Sequence, residues 1–283
     1  MKIKSLFFFM IVAIPAKTMA EDYYFDNEFR LGFSMLDMNY KEFDDTNFLL
    51  DREDGFLPGV TGEFKFTGQN ADSYLFASYH TSTIDYDGHT QGGIPVQTDT
   101  ETDIIDVQYR LNAKSSKQHQ MYGGIGYRFW RRDIQSTGNV SGILEHYTWS
   151  YGMLGVKSRF FKDYNSELSL DFRITHMLEA NMDIDFKGFS ATGFAPLDDK
   201  SVNLGKKTNF RISLPWRIKY KNLHTWIIEP YFEKWDIGKS NVVNLTENGV
   251  LVVLPECGGV CGVLEPRSET RNIGVNFQVV VPF

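Results

Sequence analysis

The chain has 283 residues, with 29 Lys and Arg against 36 Asp and Glu, a formal charge of −7. That acidity gives little attraction for a polyphosphate and argues against a nucleic-acid partner. Aromatic residues make up 15% of the chain, yet the mean hydropathy is only −0.30, and no segment beyond the N-terminus reads as a spanning helix.

Residues 1–20 read as a secretory signal peptide. Lys2 and Lys4 form its basic start, Leu6 to Ile14 its apolar centre, and Thr18-Met19-Ala20 a cleavage site before Glu21. The apolar run is about half of the ~20 residues that cross a bilayer, so cleavage is expected rather than anchoring. Removal takes away Lys2, Lys4 and Lys17 and no acid, lowering the formal charge from −7 to −10. No linker or low-complexity stretch divides the remainder, so residues 21–283 are read as one domain.

Alternation of apolar and polar side chains then runs along the chain, the mark of strands with one greasy face. The first three strands are marked by Phe29 to Met35, Val60 to Phe66, and Leu75 to Tyr79. Near 103–112, Ile105, Val107, Tyr109 and Leu111 oppose Asp106, Gln108 and Arg110; near 121–132, Ile125, Tyr127 and Phe129 oppose Gly124, Gly126, Arg128 and Arg132. Residues 146–160 are ambiguous in face, which suggests a bulge. Between 167 and 178, Leu168, Leu170, Phe172 and Ile174 oppose Asp171 and Arg173, with His176 breaking the apolar parity. Near 208–220, Phe210, Ile212, Leu214, Trp216 and Ile218 oppose Arg211 and Arg217, and in the ninth strand Ile228, Pro230 and Phe232 oppose Glu229, Tyr231 and Glu233.

The last strand, 272–283, places Ile273, Val275, Phe277, Val279, Val281 and Phe283 on one parity. It resembles the closing strand of bacterial outer-membrane β-barrels, whose terminal Phe belongs to the signal read by the assembly machinery. The count is about ten, within a range of eight to twelve. Short connections at 68–72, 113–117, 162–165 and 222–224 alternate with long ones at 44–55, 86–102, 134–145, 180–204 and 239–267. Short periplasmic turns and long outer loops are the pattern of an all-β, transmembrane, antiparallel up-and-down barrel. Its partners are membrane lipid, lipopolysaccharide and the outer-membrane assembly machinery, with an extracellular ligand left unnamed.

Arg110, Arg128, Arg173, Arg211, Arg217, Glu229 and Glu233 share the polar parity. A basic side chain facing lipid at midplane costs roughly 2–4 kcal/mol, so these residues are placed in the lumen as a charge network. A narrow barrel filled this way is plugged or barely open, because unpaired buried charge is far costlier than paired charge. Cys257 and Cys261 are expected to form a disulfide in an oxidising compartment. The apolar run Val250 to Pro255 just before them is either an exposed contact surface or a segment folded over the mouth.

Asp85-Tyr86-Asp87 lies at the rim after the third strand. Together with the ten-strand plan it resembles the omptin family of outer-membrane proteases, in which an Asp-x-Asp pair faces an Asp-x-His dyad across the barrel mouth and the His activates water. The resemblance makes Asp85 and Asp87 the candidate catalytic residues. Residues 179–200, where the dyad belongs, hold Asp183, Asp185, Asp198 and Asp199 but no His. The same acids offer oxygens of the kind calcium takes, without a twelve-residue calcium loop, so no metal and no cofactor is expected. The sequence is read as a non-enzymatic surface protein that binds through its outer loops. A narrow channel for small solutes stands second, and an omptin-like protease third.

Overall fold

The computed structural model describes residues 27–89, 93–114, 116, 118–220 and 224–283. The expected signal peptide lies outside them. Seven long strands run antiparallel, each paired with the next: β1 (Glu28–Phe43), β2 (Leu49–Thr67), β3 (Ala71–His89), β4 (Pro95–Ala113), β5 (His119–Ile134), β6 (Ile143–Lys162) and β7 (Ser166–Asp185). An eighth wall strand is built of β8 (Lys200–Asn203), β9 (Thr208–Ser213) and β10 (Trp216–Tyr220). These keep one register along β7, from Asn181↔Asn203 through Phe172↔Ile212 to Leu168↔Trp216. Its lower break falls at Leu214-Pro215, because Pro215 has no N–H to give the ladder; the Leu214 amide still donates to the Pro230 carbonyl at 3.0 Å. β11 (His224–Ile237) and the terminal strand Arg267–Pro282 complete the wall. The terminal strand pairs with β1 from Glu28↔Pro282 to Phe43↔Arg267 and closes a ten-stranded barrel.

The outward face changes character with height. On β4, Leu111, Tyr109, Val107 and Ile105 point out and are exposed, followed on the same face by Asp103, Glu101 and Asp99. On β5 the sequence Ile125, Tyr127, Phe129 gives way to Arg131 and Asp133. At ~3.3 Å per residue the apolar stretch on β4 covers roughly 20 Å, close to the ~25 Å band of a transmembrane barrel. Beyond it the strands continue into water. Most of what reads as long loops in 44–55 and 86–102 is therefore strand: β2 starts at Leu49, β3 runs to His89 and β4 begins at Pro95, whereas between β5 and β6 a connection from 135 to 142 remains.

Hydrophobicity inverts across that boundary while the backbone parity, on every long strand but β7, stays put. Below it, apolar residues point out and charged ones in. Above it Met38, Tyr40, Leu57, Ile84, Ile104, Trp130, Tyr147 and Met182 point inward and are buried, and outward neighbours such as Asn39, Asp85, Arg131 and Asp183 are polar. The paired charges expected to fill much of the lumen are therefore joined, in the outer half, by a packed apolar core. The same inversion explains the ambiguity at 146–160, where Tyr147, Trp149, Tyr151 and Met153 are buried inside and Leu154 and Val156 are exposed outside. Large inward rings need opposing glycine. A β-carbon at Gly126 would collide with the Tyr151 ring and one at Gly155 with the Tyr122 ring, a reciprocal pair across β5 and β6.

Candidate functional site

Three layers occupy the lumen. Nearest the short-turn end, Arg30 is held by Glu28 at 2.7 Å and by Glu63; Glu63 also takes Arg110, and Glu28 takes Arg217 at 2.8 Å. Arg211 meets Glu229 at 3.2 Å and lies 3.7 Å above the Tyr231 ring. In the middle, Arg128 pairs with Asp106 and, at 3.4 Å, with Glu233, which Arg173 also approaches at 3.5 Å. The Arg128 guanidinium stacks 4.0 Å over Trp235. Voids of about 10 and 30 Å³ lie at this level, between paired charges and stacked rings that leave little open space in the lumen. All seven residues named from the sequence as a lumen network lie in these two layers.

The third layer was not legible as a site. Arg132, fully buried, is caged by Glu53 and Glu145 at 2.8 Å, Glu42 at 2.9 Å and Asp51 at 3.4 Å, with the Tyr147 hydroxyl at 2.8 Å. It lies 4.3 Å from the Tyr40 ring centre. Its neighbours Arg131 and Asp133 point outward, so this level stands above the apolar belt. Burial, with Glu42 and Glu53 adding to it against Arg132, pushes the Glu145 carboxyl up to about 7. Burial and the charges of Glu42 and Glu145 push Glu265 well above the usual range, and burial and Glu42 do the same to Asp51. Arg132 shares the inward parity of Arg128, which a sequence can show. Its partners come from β1, β2, β6 and a loop, which a sequence cannot.

The outer loops cover this cage. Val252, Cys261 and Val263 of the 238–266 loop join the core, and Cys257 and Cys261 form a disulfide with Cα atoms 5.2 Å apart. That loop is stitched to the 186–199 loop by Glu247, whose carboxylate accepts from Ser190 Oγ at 2.9 Å and the Ala191 amide at 2.8 Å. A further hydrogen bond from Thr192, together with these, holds Glu247 below the usual carboxylate range. The Gly249 amide donates to Asp198 at 2.8 Å. Of the apolar run, Val252 turns in; Val250, Leu251 and Val253 are 69%, 48% and 60% exposed, and Phe194 in the other loop is 94% exposed. The segment is thus mostly exposed, with Val252 alone buried.

Asp85 and Asp87 do not enter the lumen. β3 turns Ile84 and Gly88 inward and buries them, leaving both acids exposed on the outer wall. Asp183 and Asp185 miss the lumen for a different reason. Ser150 pairs with Glu179 and Tyr151 with Met177, so Leu178 is an extra residue in β7. That bulge reverses parity, burying Ala180, Met182 and Ile184 and turning Asp183 outward, where it accepts from Ser201. Neither Asp85 with Asp87 nor Asp183 with Asp185 faces across the mouth as the omptin arrangement requires, and His176 sits on the outer wall against Thr208 at 2.9 Å. Phe283 is 59% exposed at the short-turn end, its ring edge-on to Phe64 and Phe66.

No protein-family model matches the chain, and no curated protein matches it in sequence. Among solved structures, the outer membrane protease OmpT from Escherichia coli superposes with a TM-score of 0.55 at 9% identity, over 94% of this chain and 99% of that one. OprG from Pseudomonas aeruginosa (TM-score 0.36, 10% identity, 92% and 96% covered) and the P. putida toluene transporter TodX (0.38, 9%, 93% and 91%) match more loosely. The closed ten-strand wall and its apolar belt, with this likeness, define an outer-membrane β-barrel protein. What it shares with OmpT at this identity is the fold.

Proposed function

We propose that this barrel is a non-conducting surface protein that contacts a macromolecular partner outside the cell through the platform of its two stitched outer loops. The observation that carries the reading is the coincidence of a tightly filled lumen with apolar side chains, Phe194, Val250 and Val253, exposed on two outer loops that are hydrogen-bonded to each other. Exposed apolar clusters on ordered supports mark contact surfaces, and a base fixed by Glu247 and Asp198 loses little entropy on binding. The apolar belt takes lipid and lipopolysaccharide as its surroundings. Phe283, exposed at the periplasmic end of the closing strand, is read as the element presented to the assembly machinery. The acids of the outer wall support no hydrolytic reading, because neither pair faces the mouth.

Adherence of cells displaying the protein to host-cell layers and extracellular-matrix coatings tests the proposal. Replacing Phe194, Val250 and Val253 together with Ser is expected to abolish most of the adherence while the barrel still assembles. Unchanged adherence by that variant, or none by the wild type, overturns it.

A further inference from the structure

Below the tightly filled layer the lumen widens into a cavity of about 390 Å³ that reaches the short-turn end. Nine Arg or Lys side chains and six Asp or Glu side chains line it. A chain of net charge −7 thus concentrates a surplus of positive charge in one walled space, where low-dielectric surroundings focus the field. Most of the acids are already committed, Asp171, which accepts from the Tyr122 hydroxyl at 2.6 Å, being the exception without an ion pair. Glu28 and Glu63 are each shared by two arginines, and Glu229 is taken by Arg211.

Cations are left over. Lys157, partly buried on the cavity wall, stands across the β6–β7 ladder from Asp171, yet no described carboxylate comes within 4 Å of its ammonium. The Nε donors of Arg110 and Arg173 are buried without an acceptor among the described residues. Buried donors without acceptors are costly, and an oxyanion in the cavity supplies acceptors to guanidinium forks in the geometry they favour. The volume falls within the range of small-molecule sites. The filled layer above leaves little open space beyond the cavity, so a ligand is held there and not passed through.

We propose that this vestibule binds a small multivalent oxyanion entering from the periplasmic side. The inference does not depend on the outer-loop reading, since the filled layer separates the two ends.

Isothermal titration of inorganic pyrophosphate, and separately of citrate, into the barrel in non-ionic detergent tests it. At least one probe is expected to bind near one per chain, with a Kd below about 1 mM that weakens with added salt. Lys157→Gln is expected to weaken that binding at least about fivefold, by analogy with loss of about 1 kcal/mol. Lys41→Gln, on the outer wall, is expected to leave it unchanged. Should Lys157→Gln fail to fold, judged by circular dichroism, Lys162→Gln at the rim of the same cavity is read in its place. No binding of either probe, or equal binding by the cavity variant, or equal loss in Lys41→Gln, overturns the proposal.

Discussion

The Tyr147 hydroxyl donates to the Glu265 carboxylate at 2.6 Å, joining β6 to the end of the longest outer loop. Glu265 is 3% exposed and shares its surroundings with Glu42, Glu145 and Arg132. The loop that closes the barrel is therefore tethered by a carboxyl that favours its protonated form.

That tether makes stability depend on pH. Glu145, Glu265 and Asp51 titrate higher in the folded barrel than in the unfolded chain, Glu145 at about 7 against 4.5. Between those values the folded state holds more protons, so stability falls as pH rises through the window. Thermal unfolding in detergent should show a higher Tm at pH 5 than at pH 8. Glu265→Gln, which keeps an acceptor for Tyr147 without the charge, should flatten that dependence; an identical slope in the variant would refute the assignment.

Arg132 is the cation enclosed by those acids. Replacing it with Met leaves the carboxylates of Glu42, Asp51, Glu53 and Glu145 buried without it. Breaking a buried ion pair from one side costs about 3–5 kcal/mol. Urea unfolding of Arg132→Met should show a loss of that order, partly recovered when Glu53→Gln is added, since the two residues are in contact.

Two tryptophans close the bore. Trp130 and Trp235 stack with ring centres 5.7 Å apart, and Trp235 borders both small voids above the vestibule. In planar bilayers the wild-type barrel should pass no steady current, and Trp130→Ala with Trp235→Ala should pass one. Current through the wild type would remove the filled-lumen description.

The height of the apolar belt is open to direct measurement. Val107 faces out within it and Asp99 faces out above it, on the same strand. Val107→Arg should destabilise the barrel folded into lipid vesicles by roughly 2–4 kcal/mol. Asp99→Arg should stay within about 0.5 kcal/mol, as exposed surface changes do.

Asp85 and Asp87 give a further check. Because both point away from the lumen, Asp85→Asn and Asp87→Asn should leave barrel stability within about 0.5 kcal/mol and produce no change in any peptide cleavage by the purified protein. A cleavage activity lost with either change would restore the protease reading.

Alternation alone was enough to read the ten-strand wall, the closing strand ending in Phe283 and the inward placement of Arg110, Arg128, Arg173, Arg211, Arg217, Glu229 and Glu233. Lipid imposes that pattern residue by residue, so it is written locally. Above the bilayer both faces of a strand meet something other than hydrocarbon, the pattern inverts, and strands at 49–55 or 95–102 look like loops. Only tertiary structure could show that Leu178 is an extra residue in β7, and with it which way Asp183 points. A bulge is set by pairing with the neighbouring strand. The Arg132 cage depends on the same kind of fact: residues as far apart as Glu42 and Glu145 become neighbours only once β1 has met the terminal strand and the cylinder has closed.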